Sequence, residues 1–232
     1  MQIIQFILVV WAAYLANLAG GAFARRVRDH RHLARSFSAG TVIAVAFFIF
    51  LPQALTLSGG AHGADQLLPL VGLGFVIALL LDRFGPIALP GSEKHASARK
   101  HYGHAVLNGA AIGVAYHVSP ALSGVVSAAL LVHEFSDSAD AASLASGGPF
   151  PRHVRRASSV RGVCVAAGLA VTYFSAISPP ALSIALAMFG GYFAYLSASD
   201  LIPESYHEHP QLLTVAMTFG GAGAMYMLAG LS

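Results

Sequence analysis

The sequence contains few charged residues. Only 10% of its 232 residues are Asp, Glu, Lys or Arg, whereas 56% are hydrophobic. Soluble globular domains carry about 25% charged residues. So small a supply of charge is insufficient for a water-exposed surface, and we therefore interpret the chain as an integral membrane protein whose main partner is the lipid bilayer.

Cysteine is also scarce. Cys164 is the only one in the chain, which excludes an intramolecular disulfide. The first residues, "MQIIQFILVV", place no basic residue before their apolar run. Because a cleaved secretory signal begins with positive charge, we expect this first apolar run to remain as a permanent membrane span.

Long apolar runs are what the sequence has instead. A helix needs about 20 apolar residues to cross the hydrocarbon core of a bilayer. Eight runs approach this length, of which the third and fourth are short, and they predict an all-α polytopic membrane protein with residues 1–232 in a single transmembrane domain. The predicted spans are about 3–23, 37–58, 66–82, 104–118, 121–147, 159–178, 180–203 and 210–231.

The positive charges test the number of spans independently. All 13 Lys and Arg residues follow the first, third or fifth predicted span. Basic residues in alternate connections are typical of the cytoplasmic side, so both termini should lie outside the cytoplasm. We expect a multi-pass protein of the bacterial inner (plasma) membrane and no nucleic-acid partner. The three groups are Arg25, Arg26, Arg28, Arg31 and Arg35; Arg83, Lys94, Arg99 and Lys100; and Arg152, Arg155, Arg156 and Arg161.

Polar side chains interrupt the fourth and fifth spans as two pairs, His104 with Asn108 and His133 with Asp137. Residues four apart lie on the same face of a helix. A hairpin that turns near Pro120 would bring the pairs to one depth, where His104 faces Asp137 and Asn108 faces His133. Two imidazoles, a carboxylate and an amide oxygen suit zinc or another divalent first-row metal. Each pair alone could equally form hydrogen bonds that hold helices together.

Four more polar residues are candidates for an ion pathway. Asp140 follows the second pair, and Asp200 and Glu204 lie near the cytoplasmic end of the seventh span. Gln53 ends the second span. Carboxylates inside a bilayer are costly unless they are paired, hydrated or bound to a cation, so their presence indicates function. Pro203 additionally frees a backbone carbonyl, as often happens beside ion pathways.

Four motifs resemble those of the ZIP family of divalent metal transporters. "HAVLNGAAIGVAY" at 104–116 and "HEFSDSADA" at 133–141 are similar to the paired family motifs HNxPEG and HExPEG. "IFLPQAL" at 49–55 is similar to the span-two pattern HLLPEA, and "SDLIPES" at 199–205 to the span-seven pattern DxLPE. The resemblance covers nearly the whole chain and implies eight spans, both termini outside, and metal uptake into the cytoplasm.

Several residues depart from the family pattern. Members often bind two adjacent metal ions, but Asn108 stands where an acid is expected and the sixth span has no carboxylate. The resemblance places His104, His133 and Asp137 at the primary metal position. It leaves Glu134 as the main survivor of the second position, which implies a single-metal site. The other replacements are Ala105 for asparagine, and Leu107 and Ser136 for the two motif prolines.

The predicted function is therefore transport of a divalent metal ion, zinc before iron, manganese or cadmium, with no prosthetic group and no enzyme activity. One alternative is an intramembrane zinc metallohydrolase. In that reading "HEFSD" at 133–137 is an HExxD motif, with His133 and Asp137 on zinc and Glu134 as general base. A metal sensor or non-transporting paralogue is a third alternative, and a homodimer stays open.

Overall fold

The computed structural model describes residues 2–26, 31–60, 62–88, 93–144, 152–203 and 211–230. Within these ranges the chain forms eight helices and no strand, which confirms the predicted all-α class. The helices are α1 (Gln2–Arg26), α2 (Arg31–Ala44, continued by a π-helical segment Val45–Phe50 and an α-helical segment Leu51–Leu57), α3 (Ala64–Ala88), α4 (Glu93–Val118), α5 (Pro120–Leu144), α6 (Arg152–Tyr173), α7 (Pro179–Leu196, continued by a π-helical segment Ser197–Leu201) and α8 (Gln211–Ala229).

Among the helices of the described ranges, five are long and apolar enough to cross a membrane, namely α1, α2, α3, α7 and α8. Several helices of this kind in one chain indicate a multi-pass membrane protein. Helices α3 and α4 are longer than the predicted spans 66–82 and 104–118, because each continues from its apolar run into polar sequence.

The turn between α4 and α5 lies where the sequence predicts it. Helix α4 ends at Val118 and α5 begins at Pro120. Proline is favoured at the first helical position because it has no N–H to leave unpaired. The side chain of Ser119 caps the N-terminus of α5, because its hydroxyl oxygen accepts a hydrogen bond of 3.0 Å from the backbone N–H of Leu122. The hairpin makes α4 and α5 antiparallel neighbours.

The helices associate in two bundles. Helices α1, α4, α5 and α6 pack together in the first bundle, whereas α2, α3, α7 and α8 pack together in the second. Where α2 and α8 meet α5, and where α3 and α7 meet α4, the two bundles share a seam. The polar residues of α4 and α5 therefore belong to the first bundle and lie close to this seam.

A close crossing of α4 and α6 holds the first bundle together. A Cβ atom added to Gly168 would overlap the backbone carbonyl of Val106, and one added to Gly109 would overlap that of Val165. Glycine at such crossings lets two helix backbones approach each other. The crossing carries Arg161, two turns before Gly168, into the interior, where it is 3% exposed.

Replacement of Gly168 by alanine should force α4 and α6 apart, because the added methyl group meets backbone that cannot move aside. We expect Gly168→Ala to lower the free energy of unfolding by about 1–3 kcal/mol, the usual cost of overpacking. Thermal unfolding in detergent micelles measures the effect. Gly124→Ala is the matched control, since a Cβ atom there has no neighbour within 4 Å. Equal unfolding midpoints for the two variants would contradict the close crossing.

Candidate functional site

Glu134 lies at the centre of the first bundle. The residue is 1% exposed, and each of the other three helices donates a hydrogen bond to it. The amide nitrogen of Asn17 in α1 lies 3.0 Å from Oε2, and that of Asn108 in α4 lies 2.9 Å from Oε1. From α6, Arg161 donates to Oε2 through Nε at 3.3 Å and Nη2 at 3.1 Å. The negative charge of Glu134 is thus compensated inside the bundle.

Arg161 connects Glu134 to a second carboxylate. Its Nη2 atom also donates to Oδ2 of Asp137 at 2.9 Å. One guanidinium shared by two carboxylates leaves a single net negative charge. The sequence interpretation that counted Arg161 among the charges of a cytoplasmic connection is wrong, because α6 buries it. A signal was present: Arg161 stands inside the predicted span 159–178, and a buried acid in a neighbouring span needs a cation.

His133 and Asp137 are neighbours in the structure, as their four-residue spacing predicts, and their role as metal ligands stays a prediction. Nδ1 of His133 lies 3.7 Å from Oδ1 of Asp137 and 3.5 Å from Oγ of Ser38 in α2. Both distances exceed those of good hydrogen bonds, whereas two ligand atoms on a tetrahedral zinc ion lie about 3.3 Å apart. Nε2 of His133 has no hydrogen-bond partner, although the residue is 1% exposed. A buried imidazole in this state has coordinating capacity to offer a cation.

His104 and Asn108 do not join this pair. Nδ1 of His104 lies 2.7 Å from the hydroxyl oxygen of Tyr192 in α7, while Asn108 binds Glu134. Among the residues that the structure describes, no three His, Cys, Asp or Glu side chains are close enough to hold one metal ion. The predicted convergence of four donors is therefore wrong. The hairpin predicted that Asn108 faces His133. In the structure Asn108 faces Glu134, the next residue of α5, so the predicted depth is correct to within one residue but His133 does not point toward α4.

Both histidines lie at the seam. His133 of the first bundle contacts Ser38 of the second, and His104 of the first contacts Tyr192 of the second. The rings of His104 and Tyr192 also face each other at a centroid distance of 5.9 Å. The two imidazoles therefore connect two sets of helices that otherwise pack mainly among themselves.

The structure places the four predicted pathway residues unevenly. Gln53 is half-buried in α2, three residues after the π-helical segment of that helix. Asp140 lies in α5 and Asp200 in the π-helical segment of α7, but the side chains of both are outside the described part of the chain. Glu204 lies outside the described residues altogether. Because π-helical segments are frequent at functional sites, the two segments agree with a pathway there, which stays a prediction.

Asn17 is, with Arg161, a site residue that the sequence interpretation missed. It is 0% exposed and reaches Glu134 from α1. Its signal was a lone amide in the apolar run "YLANLAG" at 14–20, since a polar side chain in a membrane span needs a partner. The Oδ1 atoms of Asn17 and Asn108 have no hydrogen-bond partner, so the cluster contains two buried amide oxygens that could still accept a hydrogen bond.

Removal of Arg161 should leave Glu134 and Asp137 as uncompensated buried charges. We expect Arg161→Gln to lower the free energy of unfolding in metal-free buffer by about 3–5 kcal/mol. The double variant Arg161→Gln/Glu134→Gln should recover most of this loss, because it removes the charges as a pair. Thermal unfolding of the purified protein measures both. The exposed Arg83 provides the control Arg83→Gln; an equal effect there would contradict a structural role for Arg161.

Comparison of the chain with protein-family models gives no match, and comparison with curated proteins gives no significant match. The ZIP resemblance therefore stays a prediction that depends on the four motifs. A functional interpretation has to depend on the geometry around Glu134 and His133.

Proposed function

We propose that the protein is a divalent metal carrier whose transported ion binds at His133 and Asp137, at the seam between the two bundles. One observation carries the proposal. His133 is buried, and its Nδ1 atom lies 3.7 Å from the carboxylate of Asp137 and 3.5 Å from the hydroxyl oxygen of Ser38, both too long for good hydrogen bonds. A buried imidazole is normally hydrogen-bonded, and an ion between Nδ1 and the carboxylate would replace these long contacts with coordinate bonds.

The chemistry of the pair favours a divalent first-row metal. Imidazole nitrogen suits zinc, copper, iron and nickel, and carboxylate oxygen adds charge that attracts any divalent cation. Zinc is the expected substrate, with iron, manganese and cadmium as the ions to compare. Two protein ligands leave coordination positions for water or substrate anions, which agrees with an ion that has to leave again.

The position of the pair supports transport more than permanent binding. A site between two helical bodies can be reached from either side when one body moves against the other, as in carriers that alternate access around a fixed site. His133 and Ser38 approach each other from different bundles. An inside-negative potential of 100 mV favours entry of a divalent cation by about 4.6 kcal/mol, so uptake needs no further energy source.

Membership of the ZIP family is part of this proposal. The four motifs occur in order, and their described residues lie in α2, α4, α5 and α7, which all meet at the seam. The basic residues support an orientation with both termini outside. The departures from the family pattern agree with a single ion, because the carboxylate oxygens of Glu134 already accept hydrogen bonds from Asn17, Asn108 and Arg161.

The hydrolase alternative has less support. Its general base would be Glu134, which must accept a proton from a metal-bound water. Both oxygens of Glu134 already accept hydrogen bonds, and the carboxylate faces the interior of the first bundle, away from the seam. The same observation does not weaken a carrier, because the carrier assigns Glu134 no proton transfer.

Loss of the imidazole should stop transport. In proteoliposomes that contain a metal-sensitive dye, we expect the wild type to take up zinc, and His133→Ala to reduce the initial rate at least about tenfold, since one lost ligand costs upwards of 1.4 kcal/mol of binding.

Leu130→Ala is the control for loss of a buried side chain one turn earlier in α5, and it should keep the influx per folded molecule. Iron, manganese and cadmium are tested in the same assay. Equal influx through His133→Ala and the wild type would contradict the assigned site, whereas no influx through the wild type would favour a sensor or non-transporting paralogue.

A further inference from the structure

We propose that Arg161 is a tethered cation that the transported metal ion displaces from Asp137. The inference rests on the proposed function and adds a step to it. The guanidinium donates hydrogen bonds to both acids in the structure. When a metal ion binds at His133 and Asp137, the bond from Arg161 to Asp137 breaks while the bonds to Glu134 remain.

The hydrogen bonds of Arg161 are unequal in a way that allows this exchange. Two nitrogen atoms, Nε and Nη2, bind Glu134, whereas Nη2 alone binds Asp137. Glu134 is also held by two amides and its side chain is 2% exposed, whereas the side chain of Asp137 is 14% exposed. Arg161 is thus anchored at the more buried acid, Glu134, and Asp137 is the more accessible acid that an arriving ion reaches.

Electrostatics makes the two cations competitors. Asp137 presents Oδ2 to Arg161 and Oδ1 to His133, so a metal ion on the His133 side shares its carboxylate with a positive guanidinium. Repulsion between two cations on one carboxylate is strong where little water screens it. The metal therefore binds less tightly than it would bind His133 and Asp137 if Arg161 were absent. When the ion leaves, Arg161 returns to Asp137 and again compensates its charge.

Displacement predicts effects of opposite sign for two neighbouring variants. Arg161→Gln removes the competitor, so zinc should bind more tightly. Glu134→Gln removes the anchor, so the guanidinium turns entirely to Asp137 and zinc should bind more weakly. If Arg161 and Glu134 only held the helices together, both variants would weaken binding. The opposite signs therefore separate displacement from a structural role.

The experiment titrates zinc into the purified 232-residue chain in lipid nanodiscs by calorimetry, and follows zinc release to a dye by stopped flow. Relative to the wild type, we expect Arg161→Gln to lower the Kd on the order of a hundredfold and to slow release. Glu134→Gln should raise the Kd roughly tenfold, as expected for one strengthened competing charge pair. Arg161→Lys, which keeps the charge, should stay closer to the wild type than Arg161→Gln does.

Two further variants keep the test decisive. Arg83→Gln removes an exposed arginine and should leave the Kd unchanged. The double variant Arg161→Gln/Glu134→Gln removes the buried charges as a pair, so it should be more stable than Arg161→Gln, and it should also bind zinc more tightly than the wild type. If the wild type binds zinc and the double variant binds it equally or more weakly, displacement is wrong but the proposed function stands. A wild type that binds no zinc would overturn the proposed function with it.

Discussion

A buried carboxylate needs positive charge and hydrogen-bond donors, and this need determines how the first bundle is assembled. Glu134 of α5 receives donors from α1, α4 and α6 at once. Each of these helices must therefore keep one height and one rotation about its axis. An unpaired charge in the interior would cost several kcal/mol. The close crossing of α4 with α6, at Gly109 and Gly168, keeps Arg161 and Asn108 within reach of Glu134.

The rotation that turns Glu134 inward also decides what α5 presents to the second bundle. Successive residues of a helix are about 100° apart around its axis. His133 and Asp137, one turn from each other, therefore point to a different side from Glu134, and His133 meets Ser38 of α2 there. One helix thus presents a compensated anion to its own bundle and an imidazole–carboxylate pair to the seam. Arg161 reaches both acids and links the two faces.

Features that depend on neighbouring residues could be predicted. Ser119 and Pro120 mark the hairpin because capping and the missing proline N–H act locally. The four-residue spacing of His133 and Asp137 places them on one face of any helix. The role of Arg161 could not be predicted in this way. An arginine one or two turns inside a helix reaches either the membrane surface or the interior, and its spatial neighbours decide which.

The sequence by itself determined that the chain is helical and apolar, that α4 and α5 form a hairpin, and that both carry ionisable side chains in otherwise apolar surroundings. Only the tertiary structure decided which of those side chains meet. Asn17 binds Glu134 across 117 positions of sequence, and His104 binds Tyr192 across 88. Contacts of this kind depend on how helices cross and rotate, which is set by the packing of many side chains at once and has no signature in local spacing.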